Sequence, residues 1–191
     1  SLAVLGTPGL SRVEQRAFTE FFAAEGGMAP DGSTVAGITS STLDGLVRLG
    51  LLPGIKIGTS PKNLSMIERV RVYKAYFDDA LHLTGGSSGL RHIQDQEVAA
   101  AFADTLLRNE TIVRQNIIRS AINDVAPNRV AAAGKFRRDE IKALSNLAAD
   151  PGTKRALLDA IVVHRKRVFA NHPNKAGEFK RIEHFRFPRH P

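Results

Sequence analysis

The sequence predicts an all-α protein, and three observations support this fold class. Apolar residues recur at helical spacing along most of the 191 residues. Ser11 with Glu14, and Ser65 with Glu68, have the Ser-x-x-Glu spacing of a capping box at a helix start. No segment has the convincing apolar–polar alternation of a strand, so we expect at most a short irregular hairpin at residues 28–39.

Three helices are predicted in the first half of the chain. The first begins after Ser11 and ends at Glu25, where Gly26 and Gly27 stop it. A short helix is expected at residues 41–50, and a longer one begins behind Ser65. The apolar stripe predicted for this third helix consists of Ile67, Val70, Tyr73 and Phe77.

Four more helices are predicted in the second half. They cover about residues 95–107, 110–124, 134–148 and 153–170, and Asp150-Pro151-Gly152 separates the last two. The last helix should bury Leu157, Ile161 and Val168 and expose a basic face of Arg155, Arg165, Lys166 and Arg167. The tail shows no clear periodicity, but Phe179, Phe185 and Phe187 predict that it packs on the body.

A glycine- and serine-rich break at residues 84–89 is the best candidate for a hinge. It would divide an N-terminal lobe, residues 1–90, from a helical C-terminal lobe, residues 91–191. We expect the two lobes to form one compact unit.

The composition excludes several classes of site. The chain has no cysteine, which rules out disulfides, thiolate metal ligands and a cysteine nucleophile. None of the six histidines belongs to an HExxH motif, and no phosphate-binding loop is present, so we expect no metal and no cofactor. No apolar run approaches the roughly 20 residues that span a bilayer, and residues 1–6 do not have the pattern of a signal peptide.

The net charge of +8 is unevenly distributed along the sequence. Residues 1–90 hold 8 basic and 8 acidic side chains, whereas residues 91–191 hold 19 and 11. A basic surface attracts polyanions such as nucleic acid, anionic lipid or acidic cell-wall polymers, although it is also typical of a solvated face without a partner. Residues 110–144 have too long a connection between their helices for a helix-turn-helix, so no specific nucleic acid is expected.

Glu25 has an unusual position for a carboxylate. The C-terminal end of a helix carries partial negative charge, which repels an ionised glutamate. Together with the neighbouring Phe21 and Phe22, this repulsion favours the protonated acid, which can protonate a leaving group. The alternative is an ordinary exposed glutamate at a helix end capped by glycine.

Seven segments of the chain resemble corresponding segments of one protein family. They are FTEFFAAEGG, DGSTVAGIT, LSMIERVRVYKAYF, EVAAAFADTLLRN, RQNIIRSAIND, AAGKFRRDEIKAL and HRKRVFANHPNKAGEFKRI. In these segments the chain resembles glycoside hydrolase family 108, the lysozyme-like peptidoglycan hydrolases of phages and bacteria. The last segment is similar to a region of that family thought to bind peptidoglycan.

The resemblance implies a two-lobed, lysozyme-like helical fold. It also implies a muramidase that hydrolyses the β-1,4 bond between N-acetylmuramic acid and N-acetylglucosamine, with Glu25 as general acid. Asp31 lies six residues after Glu25, in a loop shorter than is usual for the family. It either replaces the family's second catalytic group, for which it is the candidate, or occupies a glycine position of the loop before Thr34. Thr34, Tyr73 and Tyr76 are the candidates for substrate contacts.

The resemblance also implies a substrate, a location and partner proteins. The substrate would be bacterial peptidoglycan, reached in the periplasm or cell wall after lysis, by specialised export or on a phage particle. Other virion or secretion-system proteins are further expected partners. The shortened loop also suits an alternative function, a catalytically weak or inactive cell-wall-binding module of a phage tail, baseplate or secretion assembly.

Overall fold

A computed structural model describes residues 10–25, 34–35, 38–80, 90–108, 111–133 and 137–186. Eight α-helices make up most of this part of the chain, which confirms the all-α fold class. The helices are α1 Arg12–Glu25, α2 Ser40–Arg48, α3 Met66–Ala80, α4 Gln96–Arg108, α5 Thr111–Val125, α6 Arg138–Ala148, α7 Pro151–Val168 and α8 Lys175–His184.

A small antiparallel hairpin lies within the range where one was predicted. It consists of β1, Thr34–Val35, and β2, Ile38–Thr39. Thr34 is paired with Thr39, and Val35 with Ile38. A single turn of 3-10 helix, Pro61–Asn63, precedes α3.

Both predicted capping sequences stand at helix starts. The amide of Glu14 donates to the hydroxyl of Ser11 at 3.2 Å, and this hydroxyl donates to the Glu14 carboxylate at 2.9 Å. The amide of Glu68 donates to the hydroxyl of Ser65 at 3.1 Å. These local bonds satisfy amides that have no partner within the first turn, which is why the starts of α1 and α3 were predictable.

Pro151 and Gly152 belong to α7, which corrects the predicted start of this helix, whereas Asp150 lies between α6 and α7 as predicted. The Asp150 carboxylate accepts hydrogen bonds from the amides of Gly152 at 2.9 Å and Thr153 at 3.0 Å. Pro151 is in the first turn, where its missing amide costs nothing. An Asp-Pro pair can therefore start a helix as well as end one.

We expect Asp150→Ala to lower the free energy of unfolding by about 1 kcal/mol, because two amides of α7 lose their acceptor. Urea denaturation followed by circular dichroism would measure the loss. Asp150→Asn is the matched control, since its side-chain oxygen retains the acceptor, and it should stay within about 0.5 kcal/mol of wild type. Equal losses in the two variants would contradict the capping role.

One hydrophobic core includes residues from both halves of the chain. It extends from Leu10 to Phe185 and contains the buried face of α4, from Val98 to Leu106. Packing is most extensive between α1 and α4 and between α5 and α7. The glycine-rich segment 84–89, predicted as a hinge, lies outside the described residues.

Each of three predicted helix faces contains one residue whose burial was predicted wrongly. Ile67 and Val168 were expected in the core but are exposed. Each lies at an end of its helix, where periodicity does not show whether a neighbouring helix covers it. Arg165 was expected on a solvated basic face but is fully buried, because it pairs with Asp104 of α4.

The tail forms helix α8, which the sequence did not predict. Phe185 is buried and Phe179 is partly buried, so packing of the tail on the body is confirmed for these two residues. Phe187 lies outside the described part. The buried residues within α8 itself are Ile182 and the carboxylate Glu178. Because the buried stripe of α8 includes a charged residue, it shows no apolar periodicity. The sequence therefore did not predict this helix.

No helix in the described part of the chain is long and apolar enough to cross a membrane.

Candidate active site

Glu25 is the last residue of α1, and the last turn of that helix contains no basic side chain. Ala17 and Phe18 are buried on the same helix, and α1 packs on α4. The Phe18 ring lies 6.3 Å from that of Tyr73 in α3, at an interplanar angle of 41°. The backbone position of Glu25 is thus set by a helix that is held in the core.

The start of α1 is also fixed by a buried carboxylate. Glu14 is fully buried and accepts a hydrogen bond from the Ser11 hydroxyl. The guanidinium of Arg91 lies 3.8 Å from the same carboxylate oxygen. The sequence predicted the bond to Ser11 from its spacing, whereas the approach of Arg91 depends on the tertiary fold.

The hairpin connects α1 to α2 and places Thr34 next to a helix cap. Thr34 is opposite Thr39, whose hydroxyl accepts a hydrogen bond from the amide of Thr42 at 3.2 Å and caps α2. Asp31 and the side chains of Glu25 and Thr34 lie outside the described part. The catalytic assignment of Glu25 and Asp31 and the substrate contact of Thr34 therefore stay predictions.

Tyr73 is a core residue. Its side chain is only 3 % exposed and packs near Phe18. A ring that stacks on a sugar must present a face to solvent, so Tyr73 cannot make this contact in the described conformation. Helical periodicity predicted Tyr73 in the buried stripe of α3, and its burial confirms this.

Tyr76 is half-buried, and one arginine holds it in place. The guanidinium of Arg114 donates to the Tyr76 hydroxyl at 2.7 Å, and its central carbon lies 5.5 Å from the centre of the ring. Arg114 also donates to the backbone carbonyl of Leu106 at 3.1 Å. These contacts fix the orientation of the ring, and the substrate contact of Tyr76 stays a prediction.

A buried ion cluster that the sequence analysis missed joins α4 to α7 and α8. The two oxygens of Asp104 accept hydrogen bonds from Arg165 and Arg181, each at 2.6 Å. Burial alone would raise the pKa of Asp104, but the charges and hydrogen bonds of the two arginines outweigh it and hold the pKa below its usual value. The available signal was a polar pair, Asp104-Thr105, inside an otherwise apolar helix segment.

Two further ion pairs connect helices of the second half of the chain. Arg108 of α4 pairs with Glu178 of α8. Arg119 of α5 donates to Glu140 of α6 at 3.0 Å, and both of these side chains are buried. Glu140 also accepts a hydrogen bond from the backbone amide of Arg137 at 2.9 Å. These pairs bind the helices of the second half to each other, which is a structural role.

Among the residues that the structure describes, no group of three or more histidine, aspartate or glutamate side chains is arranged to hold a metal ion. Comparison of the chain with known protein families, with curated proteins and with solved structures found no match.

Proposed function

We propose that this protein is a peptidoglycan hydrolase that cleaves the β-1,4 bond between N-acetylmuramic acid and N-acetylglucosamine. Glu25 is its general acid. The proposal rests on the sequence segments quoted above and on one structural observation, the position of Glu25 at the end of a helix.

The position of Glu25 supports this role for an electrostatic reason. The terminal carbonyl groups of α1 carry partial negative charge, and no basic residue of the last turn offsets it. Such a site favours the neutral, protonated carboxyl group. A protonated carboxyl group can donate its proton to the glycosidic oxygen as an oxocarbenium-like transition state develops.

The remaining candidates take supporting roles in this proposal. Asp31 is the second carboxylate, which either attacks the sugar or activates a water molecule. Thr34 follows it in β1 and orients the substrate or that water molecule. Tyr76 contributes the exposed part of its ring to the sugar, held by Arg114.

The basic second half of the chain suits an anionic, insoluble substrate. Arg138, Lys142 and Arg167 are exposed cations on α6 and α7. Long-range attraction would hold the protein on cell-wall polymers between cleavage events. In this proposal the protein acts in the periplasm or cell wall, and virion or secretion-system proteins are its further partners.

The direct test is the incubation of wild-type protein with purified sacculi. We expect the turbidity to fall and the soluble fragments to carry new reducing ends on N-acetylmuramic acid. Reducing ends on N-acetylglucosamine would reject the assigned bond. Sedimentation of the protein with sacculi that it does not clear would reject hydrolysis and favour the cell-wall-binding module.

A further inference from the structure

The segment between the end of α2 and the start of α3 exposes an unusual number of large apolar side chains. Leu49, Ile57 and Ile67 are 63 %, 55 % and 54 % exposed. With the less exposed Leu51 and Met66 they are here called the apolar patch. Elsewhere in the described part of the chain, the large apolar side chains with such exposure are Val163 and Val168, both on α7.

Two hydrogen bonds connect the loop that contains Leu49 and Ile57 to α2. The amide of Leu49 donates to the carbonyl of Gly45 at 3.1 Å. The amide of Gly58, the residue after Ile57, donates to the carboxylate of Asp44 at 2.9 Å. The backbone at Leu49 and at Gly58 is therefore held by two adjacent residues of α2.

A second contact brings the start of α3 to the same loop. The guanidinium of Arg71 donates to the carbonyl of Pro53 at 2.7 Å. Ile67 precedes Arg71 by four residues, so the two share one face of α3. This hydrogen bond links the helix that carries Ile67 to the loop that carries Leu51.

The exposed side chains lie on a loop that has a defined backbone conformation. Leu52 and Ile55 lie between members of the apolar patch in sequence, yet they are buried in the core. Gly54 and Gly58 have φ angles of 85° and 83°, which side-chain-bearing residues rarely adopt. The loop is thus anchored by two apolar side chains while the neighbouring ones point into solvent.

Positive charge flanks the apolar patch in the sequence. Residues 44–71 contain five cations and two carboxylates, a net charge of +3. Arg48, Lys56 and Lys62 are exposed and alternate in sequence with the members of the apolar patch. Of the two carboxylates, Asp44 accepts the hydrogen bond from Gly58 described above.

We propose that the apolar patch and its three exposed cations form a docking surface for a membrane that contains anionic phospholipid. Aliphatic side chains enter the boundary between headgroups and acyl chains, while lysine and arginine contact the phosphates. Nucleic acid would use the cations alone and leave the aliphatic side chains in water. The proposal is independent of the hydrolase function, since it uses none of the candidate catalytic residues.

Co-sedimentation with lipid vesicles tests the proposal. Wild-type protein should bind vesicles of phosphatidylcholine mixed with an equal amount of phosphatidylglycerol, and it should bind phosphatidylcholine vesicles only weakly. The combined substitution Leu49→Ser, Ile57→Ser and Ile67→Ser should weaken binding about tenfold or more. Lys56→Gln with Lys62→Gln should weaken it roughly 25-fold, since each cation near an anionic surface contributes about fivefold.

Matched controls come from another surface of the protein. Val163→Ser with Val168→Ser removes exposed apolar side chains from α7, and Lys142→Gln with Lys180→Gln removes exposed cations from α6 and α8. Each control pair should change binding by about twofold or less, because these residues lie outside the docking surface. All replaced side chains are exposed, so the thermal transition should be unchanged in every variant.

Four results would overturn the proposal. The first is failure of the wild type to bind the anionic vesicles. The second is full binding by the triple serine variant, which would reduce the effect to general electrostatic adsorption. The third is an equal loss of binding in the controls. The fourth is a wild-type dimer that the triple serine variant converts to monomer, which would make the apolar patch a contact between copies of this chain.

Discussion

Replacing Glu25 with glutamine should reduce the rate of sacculus clearing by about 100- to 10,000-fold, the usual contribution of a positioned general acid. Glutamine has nearly the same shape but has no acidic proton to give to the glycosidic oxygen. The free energy of unfolding should change by about 0.5 kcal/mol or less, because Glu25 ends its helix and glutamine keeps the same backbone preferences.

A matched control separates this effect from a general loss of negative charge. Glu68→Gln removes a carboxylate from the first turn of α3 and should leave clearing unchanged. Turbidity of sacculi, normalised to the folded fraction from circular dichroism, gives both rates. A Glu25→Gln variant that clears sacculi within about threefold of the wild-type rate would remove Glu25 from the mechanism.

Asp104→Asn should lower the free energy of unfolding by about 3–5 kcal/mol, the usual cost of removing one member of a buried ion cluster. The carboxylate accepts hydrogen bonds from both Arg165 and Arg181, and it is completely buried. Asparagine fits the same space but removes the negative charge that faces the Arg165 and Arg181 guanidinium groups. Urea denaturation at neutral pH would measure the loss.

The difference between wild type and Asp104→Asn should depend on pH. The arginines hold the pKa of Asp104 below its usual value of 3.8, so the folded protein binds this proton more weakly than the unfolded chain. The stabilisation by ionised Asp104 is therefore fully present above pH 3.8 and is lost as the pH falls through the lowered pKa. A difference that stays constant on acidification would contradict this linkage.

Asp159→Asn is the control for Asp104→Asn. The Asp159 carboxylate lies 3.4 Å from Arg186 and its side chain is 45 % exposed. Exposed pairs contribute about 0–1 kcal/mol because water and salt screen them. A loss of similar size in the two variants would show that burial of Asp104 is not what makes the cluster strong.

Local features made most helices predictable from sequence. The starts of α1 and α3 follow from Ser11 and Ser65, whose hydroxyls accept bonds from amides three residues later. Pro151 and Gly152 were misassigned because Asp-Pro-Gly is typical of a turn, although Asp150 caps α7 and these two residues form its first turn. In each case the deciding interaction spans only two or three residues.

The candidate site was less predictable than the fold. Tyr73 and Tyr76 are both aromatic and close in sequence, yet the first is buried near Phe18 and the second is partly exposed and bound to Arg114. Sequence places them on one helix but does not show which neighbours cover each ring. The position of Glu25 at the end of α1 was predicted, because Gly26-Gly27 is a local stop signal.

The sequence by itself determined the all-α class, the helix starts at Ser11 and Ser65 and the helix end at Glu25. Periodicity and capping depend on residues within a few positions of each other. Only the tertiary structure decided that Asp104 meets Arg165 and Arg181, which are 61 and 77 residues away. The energy of such a pair depends on burial and on distance in space, and neither is a property of local sequence.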